Sequence, residues 1–171
     1  DVLRHQSDIF ELAKQGATSF HASEELWRNV LQLDTSLKRQ ELQSLRIGWD
    51  LVLDIDCGFF DYSKIAADLV VKALKFHNVK SISCKFSGNK GFHIGVPFEA
   101  FPEKIRNEET KNLFPDAPRN IALYIREMIK QPLGEKIMEF EKNNFNAIIE
   151  KTGKKSDDMV YYINNSRALN A

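Results

Sequence analysis

The spacing of apolar positions changes at about Gly48. Before it, apolar residues recur with helical period. Ile9, Leu12 and Ala13 form a stripe over residues 8–15 that stops at Gly16, a residue suited to the end of a helix. Ser23 with Glu24 and Glu25 reads as an N-cap with acids in the first turn, and Leu26, Trp27, Val30 and Leu31 follow at helical spacing. A third helix is predicted over residues 36–46, with Leu37, Leu42 and Leu45 facing inward. After Gly48 the pattern turns to β-type. Residues 49–56 are a short, β-rich apolar run expected to be a central strand. Residues 61–77 carry Ile65, Leu69, Ala73 and Leu74 on one side, with Lys64, Lys72 and Lys75 on the other, which predicts an amphipathic helix. Residues 81–86 alternate as a strand, residues 87–91 have the composition of a turn, and residues 92–97 return as a strand closed by Pro97.

The predicted order is therefore β-α-β-turn-β. It belongs to the α+β class (with α/β character), and an RRM-like βαββ sheet flanked by helices is its natural closure. Residues 99–118 are irregular, with Pro102, Pro115 and Pro118. Two helices are expected at 118–130 and 134–151, and a last strand at 159–163. The chain reads as one domain: a helical part at 1–47, the sheet at 48–98 and a mostly helical part at 99–171.

Composition narrows the function classes. A chain of 171 residues, 43% hydrophobic and 28% charged, can bury one core and is not a disordered tail. Its 24 basic and 24 acidic residues cancel, which argues against binding nucleic acid by bulk charge but leaves a local basic groove open. No apolar run is long enough for a membrane span, so the expectation is a soluble, cytoplasmic protein with no membrane partner. Asp1 in place of Met suggests an excised or trimmed domain. Cys57 and Cys84 cannot build a disulfide framework or a closed zinc site, and are expected to be reduced residues on buried strands. His5, His21 and His77 have no partner at metal-ligand spacing.

Two clusters carry chemistry. Asp54 and Asp56 stand at i and i+2 of a strand, so both carboxylates belong to one face at one strand end. Adjacent carboxylates repel unless a cation lies between them, and an oxygen-seeking divalent ion, Mg²⁺ or Mn²⁺, is the usual resolution. The bland alternative is an acid pair capping the next turn. The second cluster is Ser87-Gly88-Asn89-Lys90-Gly91-Phe92-His93. Its glycines let backbone amides approach a phosphate, Ser87 can donate, Lys90 supplies charge, and His93 could reach the same phosphates. It lacks the spacing and following helix of a Walker loop.

Leu53-Asp54-Ile55-Asp56, followed by Phe86-Ser87-Gly88-Asn89-Lys90-Gly91-Phe92-His93, resembles the first two motifs of the archaeo-eukaryotic primase superfamily, with the archaeal primase small (catalytic) subunit as the nearest likeness. The resemblance covers about residues 49–98. It implies that Asp54 and Asp56 bind the catalytic Mg²⁺ or Mn²⁺, and that Ser87, Lys90 and His93 hold the triphosphate. It further implies primer synthesis on a single-stranded DNA template from ribo- or deoxyribonucleoside triphosphates by a two-metal route, with a primase large subunit or replicative helicase as possible partners. The family's third motif, a further metal-binding aspartate, falls in residues 157–169, on Asp158 or Asn164 depending on register. The family's zinc-binding insert has no counterpart here. Lys85, with Arg119 or Arg126, is a candidate for gripping the template.

Two other readings fit parts of the pattern. Asp54-Ile55-Asp56-Cys57-Gly58 resembles the opening of haloacid-dehalogenase-like phosphatases, although no Thr follows and that fold has no use for the 87–93 hairpin. A βαββ sheet can also bind nucleotide or single-stranded nucleic acid without catalysing anything.

Overall fold

The computed structural model describes residues 3–152. They form a mixed α+β fold whose centre is a β-α-β-β unit, in the order read from the sequence. Strand β3 (Leu51–Ile55) leads into helix α3 (Phe60–Phe76), and strands β4 (Ser83–Phe86) and β5 (Phe92–Val96) follow as a hairpin. The three strands are antiparallel in the order β3-β5-β4. The 49–56 strand was expected to be central, yet among the described strands β5 holds the middle and β3 lies at one side. β5 can pair on both edges because its tight hairpin brings β4 to one of them, while α3 carries the chain back over the sheet.

One face of this sheet makes the core. Leu51, Leu53, Ile55, Ile94 and Val96 are buried against Tyr62, Ala66, Val70, Ala73 and Leu74 of α3. The period of α3 explains the fit, since these positions recur three or four apart. Each fully buried aliphatic side chain contributes about 1.5–3 kcal/mol. A second layer comes from α4 (Asp116–Phe140), whose Ala122, Ile125, Ile129, Leu133 and Ile137 pack along α3. Two helices were expected here, separated near residues 131–133. One continuous helix forms instead, with Pro132 inside it. Ile125, Ile129, Leu133 and Ile137 keep i,i+4 spacing straight through the proline, and the burial of that stripe outweighs the backbone hydrogen bond Pro132 cannot make. Helix α5 (Phe145–Thr152) follows; Tyr62 Oη and Lys151 Nζ both donate to Glu141 Oε1, at 2.7 and 2.6 Å, tying the end of α4 to α3 and α5. The strand expected at 159–163 lies outside the described residues.

The N-terminal part departs most from expectation. Helix α1 (Gln6–Lys14) forms, and α2 is shortened to Arg39–Leu45. The helix expected from Ser23 does not form. Strand β1 (Glu25–Trp27) takes its place, pairs antiparallel with β2 (Arg46–Trp49), and is followed by a 3₁₀ turn at Val30–Gln32. Tertiary partners decide this. Arg46 Nε donates to Glu25 Oε1 at 2.8 Å, and the guanidinium lies 5.3 Å from the centroid of the Trp27 ring. Val30 and Leu31, two of the residues at helical spacing, are exposed. Trp49 anchors β2 in the core, with its indole N–H donating to the Thr110 carbonyl at 2.9 Å and its ring 4.9 Å from that of Phe101. Short strands β6 (Lys104–Ile105) and β7 (Glu108–Glu109) form a surface hairpin in the irregular stretch. No helix among the described residues is long and apolar enough to cross a membrane.

Candidate functional site

β3 alternates strictly. Leu51, Leu53 and Ile55 are buried, whereas Val52 and Asp54 lie half-exposed on the opposite face. That alternation is why an acid is tolerated inside an apolar strand: Asp54 points away from the core and keeps contact with water. Its side chain is 45% exposed. Asp56, the first residue past the end of β3, is exposed.

Strand register joins the two motifs. His93 pairs directly with Asp54 across β3 and β5, and Lys85 pairs with His93 on its other side across β4 and β5. Directly opposed residues share a face, so Asp54, His93 and Lys85 form a row across the side of the sheet opposite α3. His93 Nε2 stands 3.4 Å from Asp54 Oδ1, an ion pair when the imidazole is protonated.

The hairpin is drawn onto the end of β3 by one glycine. Ser87 N–H donates to the Gly91 carbonyl at 3.0 Å, just past the last ladder pair, Phe86 with Phe92. Gly88, at φ +101°, supplies the left-handed turn residue. Gly91 is needed for space. A Cβ there would overlap the carbonyl oxygen of Ile55 and lie 3.0 Å from Ser87 Oγ. The bare backbone at Gly91 therefore rests on the residue before Asp56, with Ser87 Oγ turned over it. Lys90, exposed in the same turn, comes close enough to act on the thiol of Cys57. Burial pushes that thiol above its ordinary pKa, Asp56 pushes the same way, and Lys90 opposes them.

Ser87, Lys90 and His93 accordingly gather at the end of the sheet that carries Asp54 and Asp56. Arg119 and Arg126 do not join them, since both lie on α4, which packs against α3. Asp158 and Asn164 lie outside the described residues. The cysteine expectation needs correcting. Cys57 is buried, but in the loop after β3, where its Sγ accepts the Phe59 N–H at 3.4 Å; Cys84 is exposed on β4. β4 is outermost on its side among the described strands, and all four of its residues are exposed.

One group of residues has no signature in the sequence. Phe60, Phe86 and Phe92 meet with ring centroids 5.7–5.8 Å apart at the base of the hairpin. They come from α3, β4 and β5, so no periodicity links them.

The donor chemistry suits a hard divalent cation. No three His, Cys, Asp or Glu side chains converge among the described residues. Asp54 and Asp56 offer two carboxylates, and Mg²⁺ is commonly held by one or two carboxylates with substrate phosphates and water completing its shell.

Comparison with known proteins gives a partial similarity. A segment of 61 residues is 46% identical to the uncharacterized protein MJECS07 of Methanocaldococcus jannaschii, covering 35% of this chain and 14% of that protein. No protein-family profile matches the chain, and no solved structure matches it.

Proposed function

We propose that this domain is a primase-type nucleotidyltransferase, extending or starting primers on single-stranded DNA from nucleoside triphosphates. The observation that carries the reading is the register of β3 on β5, which sets His93 beside Asp54 and brings the 87–91 turn to Asp56. Opposite charges and phosphate donors are thereby concentrated at one open strand end. The reaction joins a primer 3′ oxygen to the α-phosphorus of the incoming nucleotide and releases pyrophosphate. Asp54 and Asp56 would hold Mg²⁺ or Mn²⁺, which when bound supplies positive charge to the attacking oxygen and the departing phosphates. Ser87 Oγ and the amides of the turn donate to phosphate oxygens. Lys90 adds a mobile point charge, and His93 Nε2 donates to the same group when protonated. Among the described residues the face opposite α3 carries no helix, which suits a template and a partner such as a primase large subunit or helicase.

The test is nucleotide incorporation on a primed or unprimed oligonucleotide with Mg²⁺ or Mn²⁺. Asp54→Ala and Asp56→Ala should each lower incorporation about a thousandfold or more, since charge neutralisation in such sites is worth several kcal/mol. Circular dichroism should show both variants folded. His93→Ala should raise the KM for nucleotide more than it lowers kcat. Normal extension by the double aspartate variant overturns the proposal. Wild-type protein that binds oligonucleotide but incorporates nothing with either cation would put a binding-only function in its place.

A further inference from the structure

The chain is neutral overall, but its charge is segregated. Between Asp68 and Glu99 there is no acidic residue, while Lys72, Lys75, Lys80, Lys85 and Lys90 all fall in that interval. The interval contains the whole β4–β5 hairpin. β4 is the outermost of the described strands on its side, and all four of its residues are exposed. Lysines on such an edge are a common guard against strand-to-strand aggregation. That explanation does not cover Phe86, which is 49% exposed on the same edge, or Phe60 beside it at 45%. A guarded edge would avoid large exposed rings. The two rings meet edge-on, and both touch Phe92, which braces them from the central strand.

We propose that the β4 edge, which no described strand pairs, is the docking surface for single-stranded nucleic acid, with Phe60 and Phe86 stacking bases and Lys80 and Lys85 facing the phosphates. The proposal rests on the reading of the neighbouring site as a nucleotidyltransferase, for which it supplies the path of the template. Cross-strand register carries the geometry. Lys85 lies on the open face beside His93, whereas Phe86, paired with Phe92, lies on the opposite face. A strand lying along the edge therefore meets Lys85 on one flank and the Phe86 ring on the other. Exposed rings beside a cationic track are the recurring recipe for sequence-tolerant binding of single strands. The absence of acids from residues 69–98 favours a polyanion over a protein partner of mixed charge. The track also ends at the 87–91 turn, so a bound strand would arrive beside Asp56.

The surface contains its own probe. Cys84 is exposed at the middle of the edge, and the other cysteine, Cys57, is buried. Oligo(dT) at saturation should protect Cys84 from maleimide, with no nucleotide or metal present. Phe60→Ala/Phe86→Ala should weaken oligo(dT) binding by roughly 5- to 100-fold per base lost from the stack. Phe60→Leu/Phe86→Leu, which keeps apolar packing but removes the π faces, should weaken it similarly and guards against misfolding of the alanine variant. Each lysine changed to alanine should flatten the dependence of log K on log salt by about 0.7. Mn²⁺-dependent binding of nucleoside triphosphate should be unchanged in the phenylalanine variants. Unaltered oligo(dT) affinity in folded leucine variants, or a fully reactive Cys84 at saturation, overturns the proposal. Equal loss of duplex binding would reduce the surface to a general polyanion site, and loss of self-association instead would make it a protein contact; either also overturns it. Oligo(dT) binding that maps to β4 without any incorporation would sink the enzyme reading alone.

Discussion

Gly91→Ala isolates the contact that joins the hairpin to the strand bearing the aspartates. Gly91 does not have positive φ, so alanine meets no conformational penalty there. The penalty is steric and falls on backbone. The new methyl would overlap the Ile55 carbonyl oxygen, stand 3.4 Å from the Ile55 carbonyl carbon and 3.0 Å from Ser87 Oγ. Ser87 can rotate away, but Ile55 is held in the ladder opposite Phe92. Relief therefore means opening the last β3–β5 pair. Overpacking costs about 1–3 kcal/mol, and one weakened ladder hydrogen bond about 0.5–1.5 kcal/mol, giving about 3 kcal/mol in all. For a chain of this size that lowers Tm by roughly 6–12 °C. Gly88→Ala is the matched control. It has open space around it but φ +101°, so its loss should be the backbone term alone, about 1–2 kcal/mol. Urea or thermal unfolding followed by circular dichroism measures both. In the incorporation assay, Gly91→Ala should also lose more activity than Gly88→Ala, because Lys90 and Ser87 move away from Asp56. A Gly91→Ala protein as stable as wild type, with Gly88→Ala the weaker of the two, would refute the claim that this close approach builds the site.

Two further outcomes test other parts of the account. Glu141 has its carboxyl pKa held below the usual value of 4.5 by Lys151 and then by the Tyr62 hydroxyl. The native state thus binds fewer protons than the unfolded chain, and the contribution is present above about pH 4.5 and lost as pH falls through the lower native value. Wild type should lose stability more steeply than Glu141→Gln on acidification, and parallel pH profiles from urea titrations would count against this link between α3, α4 and α5. Cys84 should react with an uncharged maleimide at neutral pH while Cys57 reacts only on unfolding, because burial both shields its thiol and raises its pKa. Mass spectrometry of the labelled peptides decides it, and rapid labelling of Cys57 in the native state would contradict the burial of the loop after β3.

Much of the central unit was legible in the sequence because local and tertiary preferences agree there. The stripe of α3, the strands β4 and β5 and the glycine-rich turn between them are written in adjacent residues, and the structure keeps these elements with shifts of only a residue or two, although β4 shows no alternation of burial. Where a segment could satisfy two patterns, packing decided. Leu26, Trp27, Val30 and Leu31 have helical spacing, but the Glu25–Arg46 pair and the ladder to β2 make the segment a strand. Pro132 reads as a helix break, yet a buried stripe running through it holds α4 together.

The sequence by itself singled out Asp54, Asp56, Ser87, Lys90 and His93, by type and spacing, as the candidate site residues. It could not determine that Asp54 faces His93, that Gly91 lies on Ile55, or that Phe60 joins Phe86 and Phe92. Those contacts depend on β-sheet register, which a shift of one residue would reverse, face for face. Register is fixed by the burial of Leu51, Leu53 and Ile55 against α3, together with the close approach at Gly91. Only the folded chain decides it.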